Sequence, residues 1–216
     1  MSKLVIVDYG LGNLHSVHKA LLRVADEGPG SWEIVLSRDP SELKGADRVV
    51  FPGVGAMRDC MGGLEAADWV EPLSRAFNEK PFFAICVGMQ ALLSYSEENS
   101  GVQGLGWVEG VVKRFDSTVV DKQAMAEPLK VPHMGWNQVQ QKPHALWAGI
   151  EPDTRFCFVH SYYVSSTSAQ VTATCEYGVK FSAAIGRDNW FAVQFHPEKS
   201  HTQGLRLLKN FLSWNP

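Results

Sequence analysis

The first half of the chain alternates short apolar runs with stretches of helical spacing. KLVIVDYG (3–10) is an apolar run closed by glycine, and Leu14, Val17, Leu21, Leu22 and Ala25 then recur on one helical face. DEGPGS (26–31) predicts a loop, EIVL (33–36) a strand, and DRVVFPGVG (47–55) a strand stopped by Pro52 and two glycines. Residues 56–78 carry helical patterning, with breaks predicted near Gly62–Gly63 and at Pro72. PFFAIC (81–86) reads as a fourth strand and 88–95 as a helix. Strand and helix in alternation, with strands almost wholly apolar, predict a parallel sheet covered on both faces.

The second half changes character. GWVEGVVKRF, FCFVHSYYV, VTATCEYG and FSAAIGRDNWFAVQF predict strands with short turns, GRDN (186–189) being a hairpin connection. Residues 116–129 show no periodicity and predict an exposed loop. A final helix places Leu205, Leu208, Phe211 and Leu212 on one face, with Ser200 and Gln203 as its capping box. There is no repeat, low-complexity tract or linker. The expectation is a single domain over 1–216 of α/β class: an open, mostly parallel sheet flanked by helices and extended by antiparallel strands.

Composition narrows the function. The net charge is −3 and basic residues are not clustered, which argues against nucleic acid as a partner. No apolar stretch reaches the ~20 residues needed to span a bilayer. MSKLVIVDYG runs straight into a strand pattern without a signal-peptide cleavage site, so a cytoplasmic protein is expected. The four cysteines, Cys60, Cys86, Cys157 and Cys175, have spacing that suits neither zinc nor a disulfide framework. No metal or cofactor is expected.

The position of Cys86 changes that picture. Ligands of an open parallel sheet bind beyond the carboxyl ends of its strands. Cys86 sits at such an end, where a sharp strand-to-helix turn would hold its side chain up, exposed and strained. Such a turn is crowded, and Ala84 and Gly88 are small. The following helix start favours a thiolate and offers free N–H groups. FAVQFHPEKS (191–200) supplies a base. Pro197 biases His196 toward an extended conformation. Glu198, two positions on, would then face one imidazole nitrogen while the other faces the thiol. Taken singly, a strand-end histidine and a helix-start glutamate are ordinary structural residues. Together with Cys86 they form a nucleophile, a base and an orienter. In PGVG (52–55) the glycines Gly53 and Gly55 flank Val54 and let a peptide N–H turn toward a developing oxyanion. GLGN (10–13) lacks the third glycine and the acidic residue of a dinucleotide loop.

PGVG, AICVGMQ and FHPE, in that order, resemble the class I (triad) glutamine amidotransferases. VDYGLGNLHSV (7–17), VPHMGWNQV (131–139), FVHSYYV (158–164) and HPEKS (196–200) resemble one branch of that family in particular, so the likeness spans essentially the whole chain. The family usually has glycine at the position of Ala84 and leucine at that of Val87. The resemblance implies L-glutamine as substrate, with Cys86, His196 and Glu198 as the catalytic triad. The oxyanion would be held by the N–H of Val87 and by the turn Gly53–Val54–Gly55. Gln90, Glu98 and the backbone of Ser161 and Tyr162 would bind glutamine. It further implies a heterodimer with a (βα)₈-barrel cyclase subunit that receives the ammonia, with Asn13, Trp136 and Lys199 facing that partner. A glutaminase serving another acceptor (pyridoxal phosphate, GMP or anthranilate synthesis) and a stand-alone γ-glutamyl cysteine hydrolase remain as alternatives.

Overall fold

The computed structural model describes residues 1–11, 14–28, 30–118, 128–166 and 169–216. In chain order its regular elements begin with β1 (Ser2–Val7), α1 (Leu14–Asp26), β2 (Trp32–Ser37), β3 (Arg48–Gly53), α2 (Met57–Ala66) and α3 (Val70–Glu79). Next come β4 (Phe82–Cys86), α4 (Val87–Ala91), β5 (Leu93–Ser96), β6 (Val102–Gln103), β7 (Val108–Arg114), β8 (His133–Gln138) and β9 (Gln140–Gln141). The last are β10 (Arg155–His160), β11 (Tyr162–Ser165), β12 (Val171–Tyr177), β13 (Val179–Arg187), β14 (Trp190–Val193) and α5 (His201–Ser213).

The main sheet runs β2-β1-β3-β4-β14-β13-β11-β7-β5-β6. The first five strands of that order are mutually parallel. β13, β11 and β7 continue antiparallel, and β12 and β9 lie off this path. The architecture is the predicted α/β one. β3, β4 and β14 are buried at every position, because a parallel strand covered by helices on both faces has no solvent side. Phe51, Phe82, Phe83 and Phe191 fill this centre, each burial contributing roughly 2–3 kcal/mol. α1 packs on α5, and α2 on α4. Among the described residues no helix is long and apolar enough to cross a membrane.

Several boundaries differ from the pattern. The 56–78 helix breaks at 67–69, not at Gly62–Gly63 or Pro72. Pro72 sits in the first turn of α3, where its missing N–H has no intrahelical partner to lose. Gly63 lies inside α2, where a Cβ would press on Tyr9 at 3.0 Å. The predicted helix 88–95 is only the five residues of α4. Its second half is β5, taken up as a strand beside β7. FCFVHSYYV is two strands in two sheets: β10 pairs with β8 in a separate ribbon, and β11 joins the main sheet. Leu22 is exposed, and Leu207 joins the buried face of α5 while Leu205 lies at its margin. Ser200 forms no capping box. Its Oγ instead donates to the carbonyl of His196 at 2.7 Å and accepts from the N–H of Cys157 at 3.0 Å. Of the 116–129 loop, residues 119–127 lie outside the described residues, and Leu129 is buried against Gly178 rather than exposed.

Candidate active site

β3 and β4 end side by side, with Gly53 in register with Cys86. This brings PGVG and the Cys86 corner together at the carboxyl edge of the sheet. Cys86 has φ 55° and ψ −111°, a strained backbone for a residue with a side chain. The close approach of two backbones holds it there. A Cβ on Gly88 would lie 2.3 Å from the carbonyl oxygen of Phe51, and one on Gly53 would lie 2.2 Å from the nitrogen of Gly88. Gly55, at φ +82°, turns the chain away after the strand.

The expectation of an exposed sulfur is corrected: Cys86 is 4% accessible. It lies at the wall of a cavity of about 340 Å³ that is also lined by Val54, Gly55, Val87, Gln90, Glu98, Ser161, Tyr162, His196 and Lys199. The turn that follows β4 packs the sulfur against Val87 and Gly55 at the wall of this cavity instead of holding it out in solvent.

His196 follows β14 with extended backbone, φ −102° and ψ 97°. Glu198 does not continue that extension. Pro197 opens a 3-10 turn over Pro197–Lys199, and the turn brings the carboxylate back under the ring. His196 Nδ1 and Glu198 Oε1 are 2.8 Å apart, with side chains only 5% and 4% exposed. The other ring nitrogen is left for Cys86, which lines the same cavity as His196. Burial works to lower the His196 pKa. Electrostatic interaction with Cys86 and the hydrogen-bonded Glu198 outweighs burial and raises it to about 10. The imidazolium is thus the favoured form at neutral pH, placed to give a proton to a leaving amine.

That shift has a stability consequence. The folded pKa lies above the unfolded value, so the contribution is full below the unfolded pKa and lost as pH rises toward the folded one. Glu198→Gln removes one of the raising interactions. The fall in thermal midpoint between about pH 7 and about pH 9.5 is expected to be shallower in that variant, and equal slopes would show that Glu198 does not hold the proton.

Gln90 Nε2 donates to the carbonyl of Tyr162 at 3.0 Å and to Gln194 Oε1 at 2.9 Å. Gln194 Nε2 in turn donates to Cys86 Sγ at 3.6 Å. Gln194 was not singled out from sequence. Its signal was a lone amide in an apolar strand, two positions before His196 and so on the same face. Glu98 lines the cavity, and its Oε2 accepts from the N–H of Met57 at 2.6 Å, at the start of α2. Trp136 is 44% exposed and stacks on His201 with ring centroids 4.9 Å apart. Met134 and Val159, a cross-strand pair on the same face of the ribbon, are also exposed. Trp136 and Glu198 do not line the cavity, whereas Lys199 does. Asn13 lies outside the described residues.

The glutamine amidotransferase class-I family profile matches residues 5–214. A protein of Acinetobacter baylyi named "Imidazole glycerol phosphate synthase subunit HisH" is 52% identical over the whole of both chains. One of the same name from Dechloromonas aromatica is 52% identical over 99% of this chain and 97% of its own. Among solved structures, a putative GMP synthase subunit from Thermoplasma acidophilum matches in fold with a TM-score of 0.64 at 21% identity, covering 99% of this chain and 93% of that one. A structure titled as a glutamine amidotransferase matches with a TM-score of 0.68 at 18% identity, covering 97% of each chain.

Proposed function

This chain belongs to the class I glutamine amidotransferase family, and on that premise we propose that it is the glutaminase subunit of an imidazole glycerol phosphate synthase, one cytoplasmic domain over 1–216. The observation that carries the reading is Cys86, strained at the wall of a cavity that it shares with His196, a histidine that Glu198 orients.

The sulfur of Cys86 attacks the side-chain amide carbon of L-glutamine. The N–H of Val87 and an N–H of the Gly53–Val54–Gly55 turn take the oxyanion. His196 protonates the leaving ammonia, and a γ-glutamyl thioester remains. His196 then accepts a proton from the water that releases glutamate and regenerates the thiol. Glu198 fixes the tautomer and favours the charged ring. Gln90 and Glu98 hold the substrate, Glu98 by its ammonium group, for which Oε1 is the oxygen not bound to Met57. The backbone of Ser161 and Tyr162 takes the α-carboxylate.

Ammonia in neutral water becomes unreactive ammonium, so it passes directly to a (βα)₈-barrel cyclase subunit docked over the cavity. The products there are imidazole glycerol phosphate and an aminoimidazole carboxamide ribotide, a step of histidine biosynthesis. An exposed apolar face of Met134, Trp136 and Val159 close to Lys199 supports this docking. The partner and its bound acceptor turn the 53–54 peptide into its oxyanion-binding orientation.

With amide-¹⁵N glutamine, the chain and its cyclase are expected to carry label into the imidazole ring. The isolated chain is expected to hydrolyse glutamine roughly 10²-fold more slowly than the acceptor-bound complex, the worth of one oxyanion donor. Label lost to bulk ammonia would point to another acceptor, and equal turnover with and without the partner would remove partner control.

A further inference from the structure

His160, which lines the cavity, forms with His133 a buried histidine pair that the mechanism does not use. His133 Nδ1 and His160 Nε2 are 2.9 Å apart. His160 Nδ1 is 2.7 Å from the carbonyl oxygen of Tyr162, and Asn137 Nδ2 is 3.2 Å from His133 Nε2. A carbonyl can only accept, so His160 carries its proton on Nδ1 and its Nε2 accepts. His133 therefore donates from Nδ1, and its Nε2 accepts from the Asn137 amide, which also donates to the carbonyl of Glu176 at 2.9 Å. One carbonyl thus sets both tautomers, and the chain of donors runs in one direction from Asn137 to Tyr162. Burial lowers both rings, His133 to about 4 and His160 to about 3, so both are neutral at neutral pH, as this chain of bonds requires.

The far end of the chain matters most. Residue 161 is where the backbone leaves the β8–β10 ribbon for the main sheet. At that crossing the carbonyl of Ser161 accepts from the N–H of Phe115 at 3.1 Å, and that of Tyr162 accepts from both His160 and Gln90. The segment lines the cavity next to Cys86 and His196.

We propose that His160, oriented by His133, is a positioning residue for glutamine recognition: it pins the Tyr162 carbonyl and thereby sets the Ser161–Tyr162 backbone that receives the substrate's α-carboxylate. This rests on the glutaminase reading above. The test uses two substrates with the cyclase complex, glutamine and 4-aminobutanamide, which is glutamine without its α-carboxylate. His160→Phe keeps an aromatic ring among Phe115, Phe158 and Phe181 but removes the donor. It is expected to lower kcat/KM for glutamine by roughly 10-fold, mostly through KM, while changing that for 4-aminobutanamide by less than about 3-fold. His160→Asn, whose amide nitrogen falls near the Nδ1 position, is expected to restore most of the loss.

Equal losses on both substrates, or a loss confined to kcat, would overturn the proposal. If His160→Phe does not fold, His160→Asn is compared with His160→Gln, whose donor falls at the Nε2 end. A recovered KM with Asn and not with Gln supports the proposal, and equal behaviour overturns it. A wild-type complex inert toward glutamine overturns the glutaminase reading and this proposal with it. An active wild type whose variants lose both substrates alike overturns the proposal alone.

Discussion

Cys86→Ala is expected to lower kcat for glutamine hydrolysis by at least ~10⁴-fold while leaving fold and partner binding intact. No other thiol can substitute. Cys60 and Cys175 are buried, and burial pushes each thiol up to about 12. Cys157 sits on the outer face of the β8–β10 ribbon, opposite Trp136. Alanine at φ 55° is no more strained than cysteine, so the corner should hold its shape. Ammonia release measures turnover. Alkylation followed by peptide mapping shows whether glutamine shields the thiol of the unmodified protein. Residual turnover above about one part in 10³ in the alanine variant would require another nucleophile.

Gly53→Ala and Gly88→Ala are expected to do almost as much damage by a different route. The atoms a new methyl group would strike are backbone, at 2.2 Å and 2.3 Å, and cannot rotate aside. Either β3 or α4 must shift. The cost is about 2–3 kcal/mol of stability, and kcat falls roughly 10²-fold or more because oxyanion donors and thiol lose their alignment. Gly62→Ala is the control. It lies inside α2, meets nothing within 4 Å, and is expected to stabilise by about 0.5–1 kcal/mol. Urea midpoints and steady-state rates on the three variants separate the effects. A Gly88→Ala protein with wild-type midpoint and kcat would show that the two backbones do not meet.

The apolar runs marked β1, β3, β4 and β14 because a strand buried on both faces has nowhere to hide a polar residue. The strand-end position of Cys86 was legible for the same local reason, and the nearness of Glu198 to His196 was expected, but from an extended segment and not from the 3-10 turn that Pro197 opens. Where the pattern misled, a distant partner decided. Residues 93–96 have helical spacing yet pair with β7. The run 156–164 is uniformly strand-like, yet divides between two sheets. Ser200 has the spacing of a cap yet ties His196 to Cys157.

By itself, then, the order of residues determined the alternating architecture, the sulfur at a strand terminus and the imidazole and carboxylate held close by a proline. These follow from steric and hydrophobic preferences acting over a few neighbouring positions. Only the tertiary structure decided that the sulfur is buried, that two backbones touch at Gly53 and Gly88, that Gln194 reaches the sulfur, and that His160, bonded to His133, lines the cavity. Contacts between residues 27 to 108 positions apart depend on how the sheet closes around them, and no local periodicity encodes that.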